Sequence, residues 1–241
     1  MKILALECSA KSCSAAVCDG ERLISYFYSD GSQTHSVGLM PMAEAALERA
    51  GALPADIDVF AVTAGPGSFT GVRIGVAAIK GLAFARDGAC CASVSALEAA
   101  AENLVGLDGV ICAAMDARRS QVYTACFESV DGRLCRLTED AAMSLSELGE
   151  RLRELSHGRI VRLCGDGYNV ARDYLIGLDG LSVAKTPIQL RLQNACGTAR
   201  CAAAIASEGG LVTAEALSPI YLRLPQAERE RLEREKNQNK N

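Results

Sequence analysis

Two carboxylates stand where polar chemistry is easiest to build. Glu7 ends the apolar run "KILALE" and is followed by Cys8 and Ser9; Asp116 ends "VICAAMD". A carboxylate at a strand end can be satisfied by the N–H groups of its own turn. The third feature is Gly65-Pro-Gly67-Ser-Phe-Thr-Gly71, which runs into an apolar helical stretch. Backbone N–H groups at a helix start carry partial positive charge, so such a loop can cradle phosphate. The spacing is neither G-x-x-x-x-G-K-[ST] nor G-x-G-x-x-G, and no lysine stands in reach of a phosphate. Ser68 or Thr70 can cap the helix with or without a ligand.

Other chemistry has little raw material. The only histidines are His35 and His157, and neither sits in a constellation suited to a metal site or a peptidase. None of the eleven cysteines falls in a C-x-x-C pair, so they read as small hydrophobes or plain thiols. The composition, 49% hydrophobic and 22% charged, suits a folded protein with a large core. A net charge of −4 gives no general attraction to nucleic acid. With no apolar run of membrane length and too short an apolar start for a signal peptide, a cytoplasmic protein is expected.

The elements that must position these residues come in two similar series. Three short strands over 2–8, 13–19 and 22–28, split by turns too short for a crossover, form an antiparallel meander. A helix over 37–50 follows, with Pro41 near its start and Gly51 as its stop. The apolar run 58–64 reads as a buried parallel strand. It leads into the glycine loop, a helix over 70–85, a strand over 89–94 and a helix over 96–104. The second series has strands up to Met115, over 121–128 and in "GRLCRLT", then a helix over 145–155, a strand in "RIVRLC" and an Ala-rich helix ending near Gly209. Three strands followed by alternating helices and strands, twice, give an α/β protein with a duplicated βββαβα core. The expected lobes are 1–106 and 107–224, with a charged, disordered tail over 225–241.

Two helices carry stripes of small residues. Gly71, Gly75, Ala78 and Leu82 share one face, as do Leu39, Ala43, Ala46 and Ala50. Glycine inside a helix costs about 1 kcal/mol relative to alanine, so close helix packing is implied. The contact lies either within this chain or with another.

"GPGSFTGVRIG", "MDARRSQVY", "GDG" and "SPIYLR" occur in the order found in the TsaB (YeaZ) family, which this chain resembles over roughly residues 1–224. The resemblance implies a two-lobed actin-like ATPase fold (ASKHA, ribonuclease H-like). It also implies a dimerisation subunit of the tRNA threonylcarbamoyladenosine system, which acts on the adenosine following the anticodon. Its partners would be TsaD and the ATPase TsaE, with tRNA met through the complex. The paired helices would serve as the docking surface, and as a homodimer surface when the chain is alone.

TsaD carries two histidines of a metal site just after its own glycine-loop helix. The matching stretch here is "SALEAAA", with Ala96 and Ala100 in the histidine places and Glu98 between them. No catalytic or metal residue is therefore expected. Glu7, Ser9 and Asp116 stand as remnants of a nucleotide site, and ATP with Mg²⁺ is expected only at the level of the complex. The competing expectation is an ATP-binding or ATP-hydrolysing enzyme of the same superfamily.

Overall fold

The computed structural model describes residues 1–31 and 33–223; the charged tail foreseen over 225–241 lies outside the described residues. The opening meander is β1 (Lys2–Glu7), β2 (Cys13–Asp19) and β3 (Arg22–Ser29). Then come α1 (His35–Ala50), β4 (Val59–Gly65), α2 (Phe69–Ala83), β5 (Cys90–Ser95) and α3 (Ala96–Ala101). The second series is β6 (Val110–Asp116), β7 (Gln121–Val130), β8 (Arg133–Arg136), β9 (Ala141–Ser144), α4 (Leu145–Ser156), β10 (Ile160–Cys164), α5 (Tyr168–Leu175) and β11 (Ser182–Ala184). Finally α6 (Ala195–Ser207) and β12 (Val212–Thr213) close the described chain.

The two sheets repeat one design. The first runs β3-β2-β1-β4-β5 and the second β8-β7-β6-β10-β11. In each, the meander is antiparallel, and the two crossover strands lie parallel to the first strand of the meander. This duplicated order is the βββαβα repeat expected from the sequence. The central strands β1, β4 and β6 are buried over nearly their whole length, which is why they read as apolar runs without alternation.

Local signals set the helix ends. Gly51 takes the left-handed conformation (φ 61°) that ends α1, its N–H returning to the last turn. Ser68 caps α2 by accepting from the Gly71 N–H. Ser144 and Glu147 form a reciprocal capping box on α4. Helix α1 begins at His35, so Pro41 lies inside it rather than near its first residues. The elements absent from the sequence reading are β9, α5, β11 and β12, of two to eight residues each.

The lobe boundary needs a correction. The sheets do divide between β5 and β6, but two helices are exchanged across that line. Ala96, Leu97, Ala100 and Ala101 of α3 pack with Ile111, Ala113 and Phe127 of the second sheet. Ala195, Ala199 and Ala202 of α6 pack on Ile3, Ala5 and Ala16 of the first, and β12 pairs with β5. Residues 107–224 are thus not one lobe. Alanine faces permit the exchange: a side chain at Gly197 would overlap the Ala99 carbonyl, so α3 and α6 meet nearly backbone to backbone. Among the described residues no helix is long and apolar enough to cross a membrane.

Candidate functional site: the strand ends at the cleft

Glu7 and Asp116 occupy equivalent places, at the ends of the first strand of each sheet. Their surroundings differ. Parallel pairing of Leu6 with Val62 sets Glu7 beside Thr63. Glu7 is fully buried, and its Oε1 accepts from the Ser9 N–H at 2.7 Å and the Ser9 hydroxyl at 2.6 Å. Glu7 Oε2 and Thr63 Oγ1 are both buried without a hydrogen-bond partner. Burial pushes the Glu7 carboxyl up to about 7, against the opposing pull of the Ser9 hydroxyl and N–H.

Asp116 is exposed and its Oδ1 accepts from the Arg118 N–H at 2.8 Å. Its own N–H donates to Asp166 Oδ1 at 3.3 Å. Asp166 belongs to the "GDG" motif after β10, where Gly167 donates to the Ala114 carbonyl at 2.9 Å. Burial, then the charge of Asp116, pushes the Asp166 carboxyl above its ordinary value. The structure therefore holds Glu7 against Ser9, near enough to Asp166 for that charge to disfavour ionisation of Glu7, with the exposed Asp116 beside Asp166. Asp166 and Thr63 were not singled out from sequence. The polar Thr63 inside an otherwise apolar run was the available signal.

The glycine loop is closed by its own chain. A Cβ on Gly67 would overlap the Ser9 carbonyl, one on Gly71 the Cys8 carbonyl, and one on Gly65 the Ile220 carbonyl. The Ser68 N–H donates to Ser9 O at 2.6 Å, and the Ile220 N–H donates to Ala64 O at 2.7 Å. Each glycine thus answers to a close backbone approach, and the amides that would cradle a phosphate are in part committed. The segment Ser218–Arg223 is strapped over this loop. Tyr221 stacks on Phe69 with ring centroids 4.6 Å apart.

The small-residue stripes are also turned inward. Leu39, Ala43, Ala46, Gly71 and Gly75 are buried, while Ala50, Ala78 and Leu82 are half-buried against the same core. A Cβ on Gly75 would have 2.9 Å to Cys8 Sγ and to Val62 Cγ2, whereas side chains need more room. The expectation that these eight residues face a partner is therefore corrected. Their smallness lets α1 and α2 lie close on the first sheet. The outward face of the same helices is a different set: Val37 (61% exposed), Met40 (42%), Ala77, Gly81 and Phe84 (74%).

The stretch "SALEAAA" is fully engaged in packing and ion pairing. Ala96 and Ala100 are completely buried. Glu98 pairs with Arg136 at 2.6 Å, and Arg136 pairs also with Asp140 at 2.6 Å while lying 4.7 Å over the Phe127 ring. Ser95 donates to Asp140 at 2.6 Å. These contacts fasten the β5–α3 junction to the β8–β9 connection.

Known proteins share this arrangement. A family model described as TsaD, tRNA N6-adenosine threonylcarbamoyltransferase, matches residues 29–172. The tRNA threonylcarbamoyladenosine biosynthesis protein TsaB of Escherichia coli is 30% identical over 92% of this chain and 95% of its own length. The protein of the same name from Bacillus subtilis is 36% identical over 64% of this chain and 67% of its own. The solved structure of YeaZ from Pseudomonas aeruginosa superposes with a TM-score of 0.77 at 27% identity, covering 92% of this chain and 99% of that one. Within the fold described by the TsaD model, this chain belongs to the TsaB (YeaZ) family.

Proposed function

We propose that this chain is a non-catalytic, cytoplasmic subunit of the machinery that forms threonylcarbamoyladenosine in tRNA. It pairs with a TsaD transferase, presents that pair to TsaE, and forms a homodimer when alone. The observation that carries the non-catalytic reading is the state of residues 95–100. Where the resemblance places the transferase's histidine pair, two alanines are packed into a core and the glutamate between them is bound to Arg136. Alanine has no lone pair to offer a metal.

Pairing is assigned to the outward face of α1 and α2, with Val37, Met40, Ala77, Gly81 and Phe84 at its centre. The two helices touch each other, and their shared outer surface carries these apolar residues beside the exposed Glu44 and Arg73. An isologous dimer and a pair with a related chain can use the same surface. For ATP and Mg²⁺, the residues of the glycine loop do not fit a phosphate. The loop amides and glycine spaces face Cys8 and Ser9, and no lysine reaches them. Nucleotide is therefore assigned to the complex and not to this subunit.

The test is an omission assay with purified TsaD, TsaE and this chain on unmodified tRNA. Full modification is expected only with all three, and none from this chain alone. Modification by this chain unaided, or undiminished modification without it, contradicts the proposal.

A further inference from the structure

An arginine- and aromatic-bearing lip forms where the Ser218–Arg223 segment runs from the glycine loop to β7. On the first lobe, the Arg73 guanidinium lies 3.7 Å over the Phe69 ring and donates through Nε to Tyr221 Oη at 2.8 Å. Tyr221, stacked on Phe69, remains 41% exposed. Two residues further, Arg223 sits 5.5 Å over the ring of Tyr123 on β7, so the Ser218–Arg223 strap spans from one lobe to the other. Tyr123 is two residues inside β7 from the turn that joins it to β6. That turn holds Arg118 and Arg119, both exposed.

The turn is costly to make. Arg118, Arg119 and Ser120 have φ of 65°, 56° and 56°, three consecutive side-chain-bearing residues in the left-handed region. A backbone held this way fixes two guanidinium stems relative to the strands. Among the described residues, Arg73, Arg118, Arg119 and Arg223 belong to no ion pair, a condition they share with seven other arginines. The carboxylates nearest the turn are already engaged: Asp116 Oδ1 by the Arg118 N–H and Asp166 Oδ1 by the Asp116 N–H.

Resting on the function proposed above, we infer that this lip contacts RNA directly, with Arg118, Arg119 and Arg223 on backbone phosphates and the Phe69–Tyr221–Arg73 stack against the ribose-phosphate edge or an unpaired base. Unpaired guanidiniums supply the counterion-releasing contacts that dominate such binding, and exposed aromatic rings with a stacked arginine suit nucleobases. The chain as a whole is acidic, at −4, so these arginines orient the RNA rather than attracting it in general.

The experiment titrates an unmodified tRNA transcript into the pair of this chain with TsaD, and into this chain alone, across a salt series. It compares wild type with the triple variant R118Q/R119Q/R223Q and the triple lysine variant R118K/R119K/R223K. Sedimentation checks in parallel that each variant still pairs with TsaD. The glutamine variant is expected to bind tRNA at least 10-fold more weakly at 0.15 M salt, with the log–log salt slope reduced by about 2 to 3. The lysine variant should recover most of both. Unchanged affinity and slope in the glutamine variant overturn the inference. So does loss of TsaD pairing with unaltered tRNA binding, which would make the lip a contact for acidic protein. If wild type fails to pair with TsaD at all, the proposed function fails, and the titration of the chain alone still decides the RNA contact.

Discussion

The ends of β1 and β6 are the same place in two copies of one design, yet one is sealed and the other open. At β1, Glu7 is buried beneath the glycine loop, with Ser9 as its only hydrogen-bond partner. At β6, Asp116 is exposed beside a strained, arginine-bearing turn. Packing has taken over the first end and left the second as surface. The lesson is that identical topology does not preserve a shared site. Close approach of the glycine loop to Cys8 and Ser9 leaves no room for a side chain at Gly67 or Gly71.

The comparison breaks most sharply at Gly71. A methyl group there overlaps the Cys8 carbonyl, which is backbone and cannot swing away. Gly71→Ala should cost about 3 kcal/mol or more in urea unfolding, at the upper end of overpacking effects. Gly81→Ala, on the same helix with open space around it, should instead stabilise by up to about 1 kcal/mol. Equal and small effects at both positions would mean that the loop is not packed as described.

A smaller effect sharpens the contrast between the carboxyls. Glu7 has a folded pKa of about 7 against an ordinary 4.5, so the folded state holds a proton that the unfolded chain releases. Its contribution to stability is complete below pH 4.5 and is lost as pH rises to about 7, amounting to about 3 kcal/mol. Glu7→Gln should flatten stability over that window and leave the variant more stable than wild type at pH 8. Asp116→Asn, at an exposed site, should change stability by no more than about 0.5 kcal/mol at any pH. Denaturant midpoints across pH 4 to 8 check both; a pH profile unaltered by Glu7→Gln would contradict the buried, uncompensated carboxyl.

Much of this was legible in the sequence. Apolar runs 2–8 and 58–64 became β1 and β4 within a residue or two, because strands buried on both faces need uninterrupted hydrophobicity. Gly51 marked a helix end for the same reason it forms one. Short β9, β11 and β12 were not legible, since two to four residues carry no period. The exchange of α3 and α6 between lobes was hidden because an alanine face fits either sheet equally well.

At the candidate site, the residue types were visible but their directions were not. The stripe Gly71–Gly75–Ala78–Leu82 correctly signalled close packing. Spacing alone could not tell whether the partner was Cys8 and Val62 of the same chain or another protein. Only burial separates the inward stripe from the outward Val37, Met40, Ala77, Gly81 and Phe84.

The central claim is that this chain acts by pairing through that outward face. Sedimentation of Ala77→Arg, alone and mixed with TsaD, tests it most directly. Ala77 is exposed on α2, so the variant should fold with an unchanged melting temperature, while self-association and pairing with TsaD each weaken by at least 100-fold. A variant that is folded and still pairs with wild-type affinity would place the working surface of this protein elsewhere.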